Sequence, residues 1–404
     1  MCYDNFLGKG LRGGKKMLLS IKKNEWVGNP RENIFAGLVS SVAILPEVIG
    51  FAIIAGVPPI SALFASATTL LVITITGGRP AMVSAAAGSM ALVIADLVQS
   101  HGLNYMIAAT ILTGIFQFIL GYLNIHKLMK YIPKSVMIGF VNGLAISIFL
   151  AQVQQLPEQN MIGYVMVIVS ILAIYLLPKM IKVVPPALII IIAMTILSFV
   201  FKGSFFTVGD LGDMSSLDIS FGLPLVPMNV ETLWIILPTA ISLTFIGLME
   251  TLLTVPIVDE MTNSTSDSKR EVKAQGLANF FTGLFGGQGG CAMIGQAVIN
   301  VKSGGRTRLS TFVSGTTLLL FIFVLNSLMM VIPTAALIGI MITVAGDTFN
   351  WKSLELVKSW EMIESTVMLV TVVVIVYTGN LAIGILCGVV LNGLLILLTK
   401  LNKK

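Results

Sequence analysis

Charge is what these 404 residues have least of: 11% are Asp, Glu, Lys or Arg, against 56% hydrophobic. A soluble chain carries about a quarter charged residues, because water must wet its surface. A soluble enzyme, a disulfide-rich secreted domain and a disordered tail are therefore excluded. Cysteine and histidine are scarce as well. Cys2, Cys291 and Cys387 form an odd set without metal-ligand spacing, and His101 and His126 stand alone. No zinc site, haem attachment or catalytic triad can be assembled from them. A cleavable leader is not expected either, since the first thirty residues are polar and basic (Lys9, Arg12, Lys15, Lys16, Lys22, Lys23) and lack a long apolar core.

What the sequence has in abundance is apolar runs of about 18 to 22 residues, each long enough to cross a hydrocarbon core as a helix. The expected fold is all-α and polytopic, with fourteen membrane segments near 33–54, 60–76, 82–99, 105–123, 131–152, 161–178, 186–201, 232–257, 268–285, 290–302, 309–331, 332–346, 362–378 and 380–399. Basic residues gather in alternate loops: Arg79; Lys127, Lys130 and Lys134; Lys179 and Lys182; Lys269, Arg270 and Lys273; Lys302, Arg306 and Arg308; Lys352 and Lys358. The intervening loops are nearly free of them, and the longest, 202–231, carries Asp210, Asp213, Asp218 and Glu231 against Lys202. The positive-inside rule then places the basic 1–32 and the closing 400–404 in the cytoplasm and 202–231 outside. The net charge of +6 reads as an orientation signal rather than a nucleic-acid footprint.

A weak duplication runs through the chain. IPKSVMIG (Ile132 to Gly139) returns as IPTAALIG (Ile332 to Gly339), and Glu47 with Glu250 and Gly88 with Gly295 repeat at nearly the same offset. Two seven-segment repeats, 33–201 and 232–399, follow; an odd number of crossings makes them inverted, as in many secondary transporters.

Segments three and ten break the apolar pattern with VSAAAGSMALV (Val83 to Val93) and FGGQGGCAMIGQAVINVKSGGRTR (Phe285 to Arg308). Such small-residue clusters permit extended backbone inside the membrane where it lines a cavity. Two half-helices starting there would point unpaired N–H groups and partial positive charge at an anion. Close helix packing is the alternative. The clear intramembrane acids are Glu47, Asp96 and Glu250, and such groups mark ion paths by default. Glu250, with Thr254 one turn on, could take a proton, ligate Na⁺ or form a helix–helix hydrogen bond. Glu47 follows Pro46, expected to bend or open segment one, while Asp96 sits where a capping or snorkelled role fits. Trp26, Trp234, Trp351 and Trp360 fall near segment ends, as an aromatic belt does. Residues 262–273 read as a polar connection between segments eight and nine.

The stretch AGLVSSVAILPEVIGFAIIAGVPPISALFAS (Ala36 to Ser66), together with GGQGGCAMIGQAVINVKSGGRTRLS, resembles the sulfate permease (SulP) family, related to solute carrier family 26. The resemblance implies core and gate subdomains and an anion held between the starts of segments three and ten. The implied pocket is Glu47, Phe51, Ala87, Gly88, Ser89, Ala292, Met293, Ile294, Gly295 and Gln296, with Glu250 and Thr254 at the H⁺ or Na⁺ coupling site. Three departures stand out. Gly295-Gln296 replaces a common Ser-Arg, Glu47 replaces a common glutamine, and the chain stops at Lys404 where many members continue into a STAS domain.

The expectation is an elevator-type transporter in the plasma membrane, not an enzyme, with both termini cytoplasmic and a homodimer implied by the family. It would import sulfate, or next bicarbonate, with H⁺ or Na⁺; no cofactor beyond Na⁺ as a coupling ion is expected, and no nucleic acid. The alternatives are an uncoupled anion channel, a nucleobase permease and a non-transporting sensor.

Overall fold

Proline punctuates the starts of the helices. The computed structural model describes residues 23–180, 185–200, 205–211, 221–358 and 362–401; Cys2, the basic residues before Lys23, Lys182, Lys202, Asp213, Asp218, Trp360, Lys403 and Lys404 lie outside them. Fourteen helices fall on the fourteen apolar ranges: α1 (Pro30–Ala55), α2 (Pro59–Thr76), α3 (Gly88–His101), α4 (Leu103–Tyr122), α5 (Lys134–Gln155), α6 (Met161–Met180) and α7 (Pro186–Val200) in the first half. The second half holds α8 (Val230–Thr262), α9 (Ser268–Leu284), α10 (Ile294–Lys302), α11 (Arg308–Met329), α12 (Thr334–Thr348), α13 (Met362–Thr378) and α14 (Leu381–Leu401). Pro30, Pro59 and Pro186 open their helices, and Pro133 and Pro333 stand just before α5 and α12. The fixed φ of proline suits a first turn whose N–H groups have no helical acceptor anyway.

Of the described residues, 81% are helical. Among the described residues, seven helices are long and apolar enough to cross a membrane, and four shorter ones are apolar. The remaining three, α3, α9 and α10, build the site together with α1 and α8. Two groupings emerge from the packing: α1 to α4 pack chiefly with α8 to α11, and α5 to α7 with α12 to α14. Each group therefore draws on both halves of the sequence.

One local expectation needs correction. Pro46 neither opens nor ends segment one, and α1 is continuous from Pro30 to Ala55. Proline leaves the Val42 carbonyl without its helical donor. Immediately beside it, Gln296 Nε2 donates to Ala43 O at 3.2 Å. Neighbouring side chains of this kind let membrane helices tolerate proline.

Helix α9 is polar by composition (SKREVKAQGLANFFTGL) yet is held inside the bundle. It crosses α4 backbone to backbone. A Cβ added at Gly114 would sit 2.4 Å from Phe280 N, and one at Gly276 2.4 Å from Phe118 N. Small residues allow such approach where lipid offers no competing hydrophobic drive. The stretch 262–273 is more than a connection. Asn263 ends α8 at φ +48°, Asp267 caps α9 by accepting from Arg270 N at 3.2 Å, and Glu271 is fully buried.

Glu271 belongs to a charged cluster where α2 ends. Its Oε2 accepts from Gly78 N at 2.5 Å and Arg79 N at 2.8 Å. Arg79 Nε lies 3.1 Å from Asp259 Oδ1, and its Nη2 donates to Val258 O at 2.9 Å and to Thr262 Oγ1. Arg308, 1% exposed, donates from Nη1 to Thr74 O at 2.7 Å and from Nη2 to Gly77 O at 2.6 Å, with Nε on Glu25 Oε2 at 2.8 Å. These guanidiniums satisfy carbonyls that a helix end leaves unpaired.

Candidate functional site

Two short strands hold the centre of the site. β1 (Ser84–Ala85) pairs antiparallel with β2 (Cys291–Ala292), Ser84 opposite Ala292 and Ala85 opposite Cys291. The pairing extends through Met293 N to Val83 O at 2.9 Å. Each strand runs straight into a helix. Ala87 (φ −111°, ψ 154°) precedes α3, Met293 (φ −99°, ψ 115°) precedes α10, and neither start has a side-chain cap. The first intrahelical bonds are Ala91 N to Ala87 O and Ala297 N to Met293 O, both 2.9 Å. The amides of Gly88, Ser89 and Met90, and of Ile294, Gly295 and Gln296, precede them. Such amides, with the positive end of the helix dipole, favour an anion.

Polar side chains from neighbouring helices replace the hydrogen bonds a continuous helix would have made. Ser66 Oγ accepts from Ala86 N at 3.1 Å and donates to Ala62 O at 2.8 Å. Thr251 Oγ1 accepts from Ala292 N at 3.3 Å. Asn279 clasps Gly290, accepting its N–H at 2.8 Å and donating to its carbonyl at 3.1 Å, while Gln275 Nε2 reaches the same carbonyl at 2.8 Å. Here lies the reason for a polar α9: its inner face carries the donors and acceptors that β2 requires. Asn300 Nδ2 donates to Ala81 O at 2.8 Å, fixing a residue held at φ +61°.

The twelve residues singled out from the sequence meet in this one neighbourhood. Glu47 Oε1 on α1 accepts from Gln296 Nε2 on α10 at 2.8 Å. The Phe51 ring lies over the start of α3, so that a Cβ on Gly88 would be 2.5 Å from Phe51 Cε1. Ala87, Gly88 and Ser89 form that start, as Ala292, Met293, Ile294, Gly295 and Gln296 form the start of α10. A Cβ on Gly295 would meet nothing within 4 Å, so this position borders open space. Glu250 and Thr254 on α8 complete the group. Thr254, fully buried, donates to Glu250 O at 2.7 Å and lies 3.5 Å from Ala292 O. Asp96 is exposed, away from these contacts.

Two features escaped the sequence. Cys291, fully buried, donates through Sγ to Glu250 Oε2 at 2.6 Å; counting cysteines could not find a partner that is a carboxylate. The basic run after α10 is scaffold. Arg306 Nη1 donates to Val301 O at 2.5 Å and Gly305 O at 2.8 Å, and Arg308 caps α2. Its carbonyl-satisfying role was open to inference only from the burial of guanidiniums at helix ends.

A helical membrane bundle in which two uncapped half-helices meet head to head beside half-buried carboxylates is the architecture of a solute transporter. Comparison with known proteins gives the family. The sulfate permease family model matches residues 31–174 and 155–371, and the chain belongs to that family of anion transporters. It is 51% identical, over 92% of this chain and 77% of the relative, to YbaR of Bacillus subtilis, named provisionally as a sulfate transporter. It is 30% identical, over 86% of this chain and 67% of the relative, to the bicarbonate transporter BicA of Picosynechococcus. Among solved structures, the transmembrane domain of a cyanobacterial bicarbonate transporter BicA superposes with a TM-score of 0.79 at 26% identity, covering 88% of this chain and 97% of that one. The family and these relatives are transporters, not enzymes.

Proposed function

We propose that this protein imports an inorganic anion, sulfate before bicarbonate, in symport with H⁺ or Na⁺. The observation that carries the proposal is the junction of β1 and β2. The same two-stranded element that aims α3 and α10 at one point also presents Cys291 to Glu250. Anion and coupling ion would thus occupy adjoining positions on one rigid element. The kinship with YbaR supports sulfate.

The motion is elevator-like, with α1–α4 and α8–α11 as the moving core and α5–α7 and α12–α14 as the gate. The halves 33–201 and 232–399 are inverted copies in this reading. The antiparallel pairing of β1 with β2 supports it, since a two-fold axis in the membrane plane relates strands in that sense. Both termini face the cytoplasm of a plasma-membrane homodimer. Loading Glu250 with a cation would offset the anion's charge before the core crosses apolar surroundings.

The second reading is Na⁺-coupled bicarbonate transport. BicA supports it, as do Thr254 Oγ1 and the nearby carbonyls of Glu250 and Ala292, oxygen ligands suited to a hard cation. Labelled sulfate uptake into proteoliposomes, driven separately by inward H⁺ and Na⁺ gradients with bicarbonate as competitor, tests both. Sulfate accumulation that follows one gradient and disappears in Glu250→Gln is expected. Accumulation of neither anion under either gradient, in vesicles holding folded protein, overturns the transport proposal.

A further inference from the structure

The connection from α7 to α8 ends in an apolar stretch that is not a helix. Residues 221–229, FGLPLVPMN, carry no charged side chain and run irregularly into α8. Leu225 is 88% exposed and Met228 82%, and Phe221, Leu223, Val230 and Trp234 beside them are exposed as well. Single exposed apolar residues are ordinary, but a contiguous run of them marks a surface that something apolar covers.

The stretch is fastened to the protein along its length. Gly222 N donates to Leu284 O at 2.9 Å, at the end of α9, and the Phe221 ring lies 5.1 Å from that of Phe285. Leu225 N donates to Asn104 Oδ1 on α4 at 3.3 Å. Val226 turns the other way from Leu225, onto the apolar cluster of Leu97, Ala109 and Ala240 from α3, α4 and α8. All four helices belong to the α1–α4 and α8–α11 grouping.

Its backbone asks little of water. Pro224 and Pro227 have no N–H to satisfy. Gly222 and Leu225 donate as above, Val226 N donates to Pro224 O at 2.9 Å, and Asn229 N to Pro227 O at 3.0 Å. Asn229 Oδ1 then accepts from Thr232 N at 2.8 Å and closes the start of α8. Irregular backbone survives close to lipid only when its polar groups are occupied in this way.

The length of α8 sets the level at which the stretch lies. Its 33 residues span about 50 Å. The Thr262 end stands at the charged cluster of Arg79 and Asp259. A bilayer is about 40–45 Å thick with its headgroups, so the Val230 end reaches the headgroup level of the opposite face. Trp234, one turn inside, is the side chain that prefers that level. We infer that residues 221–234 form an interfacial anchor, which seats this end of the α1–α4 and α8–α11 core among the lipid headgroups. The stretch has no lysine or arginine, and Glu231 is its one charge. Apolar area rather than attraction to anionic lipid therefore holds it. The anchor does not depend on which anion is carried.

The test uses the full chain in phosphatidylcholine vesicles, with Cys2→Ser and Cys387→Ser and the buried Cys291 kept. A nitroxide is attached at Leu225→Cys or, separately, at Met228→Cys. Collisions with oxygen, which concentrates in lipid, are compared with collisions with a nickel chelate, which stays in water. Both labels should favour oxygen and lie about 5–10 Å into the headgroup and acyl boundary. A label at Thr265→Cys, on the exposed turn at the other end of α8, should favour the nickel chelate. Added phosphatidylglycerol or high salt should leave the first two labels unchanged. Nickel collisions at 225 and 228 as frequent as at 265 mean open water and overturn the anchor. Shielding from both reagents means a protein cover, whether a second copy or another chain, and overturns it equally. If the labelled variants do not fold, a chain with Trp26→Phe, Trp351→Phe and Trp360→Phe decides the question. Brominated phosphatidylcholine should quench its Trp234 fluorescence, and undiminished fluorescence overturns the anchor.

Discussion

Replacing Arg308 by methionine separates two roles open to a basic residue in an anion transporter, ligand or scaffold. The guanidinium is 1% exposed, and two of its hydrogen bonds end on Thr74 O and Gly77 O, at 2.7 and 2.6 Å. Thr74 lies in the last turn of α2 and Gly77 just after it, where no helical donor remains. Leaving a buried carbonyl unpaired costs about 1–3 kcal/mol, so the pair would cost about 2–6. Arg270 Nε still holds Thr76 O at 2.8 Å, which limits the damage. The contact to Glu25, whose side chain is 22% exposed, is discounted for solvent screening. About 3 kcal/mol remains, and at roughly 2 °C per kcal/mol for a large chain the apparent melting temperature falls by about 6 °C. Arg308→Lys should recover at most half, since an ammonium cannot fork to both carbonyls. The assay pairs the temperature dependence of monodisperse elution in detergent with sulfate KM in proteoliposomes. KM per folded molecule should stay within about twofold of wild type. A melting temperature within about 1 °C of wild type together with a tenfold rise in KM would refute the argument and make Arg308 an anion ligand.

Two glycines give opposite predictions. Gly88→Ala places a methyl 2.5 Å from Phe51 Cε1, so the ring must leave the mouth of α3. Uptake should fall about tenfold, as overpacking of 1–3 kcal/mol implies, and Phe51→Leu in the same chain should recover part of it; undiminished uptake in the single variant removes Phe51 from the pocket. A Cβ at Gly295 meets nothing within 4 Å, so Gly295→Ala should change stability by less than about 1 kcal/mol, while a methyl bordering the free amides of α10 should raise the anion KM. A large fall in melting temperature would mean that Gly295 is a packing position instead.

The fold was legible because lipid imposes a demand that sequence cannot hide. Most spanning segments must be apolar along their length, and each of the fourteen ranges read as a segment carries a helix. The two half-helices could be located for the complementary reason, since Gly88 and Gly295 sit in small-residue clusters that a uniformly buried helix would not need. What could not be read is partnership at a distance. Pro46 suggested an opening in α1, but Gln296, 250 positions further on, feeds the backbone beside it. Arg79, Arg270 and Arg308 follow the charge rule for loops, and nothing local says that Arg79 and Arg308 are buried on the ends of other elements. Cys291 matters only because Glu250 lies on a helix packed across from it.

A pocket of this composition constrains its own mechanism. Among the described residues, no lysine or arginine pairs with Glu47 or Glu250, and the half-helix starts are met by Phe51 and by the Glu47–Gln296 and Glu250–Cys291 pairs. Backbone amides offer partial charges, about half a unit at each helix end. Two such ends fall short of a dianion's charge, and an ionised Glu250 deepens the deficit. In the proposed symport the missing positive charge would arrive with the coupling ion. A site with a fixed arginine could hold its anion at any pH and release it only by moving. In the proposed symport, a site built on amides and a carboxylate would bind its anion more strongly once the carboxylate has been neutralised, so loss of the coupling ion on the far side would favour release. Gln296 and Glu47, which the resemblance sets against a common arginine and a common glutamine, thus act in one sense: the first leaves the pocket without a fixed positive charge and the second adds a carboxylate, so that in the proposed symport the coupling ion would control anion affinity.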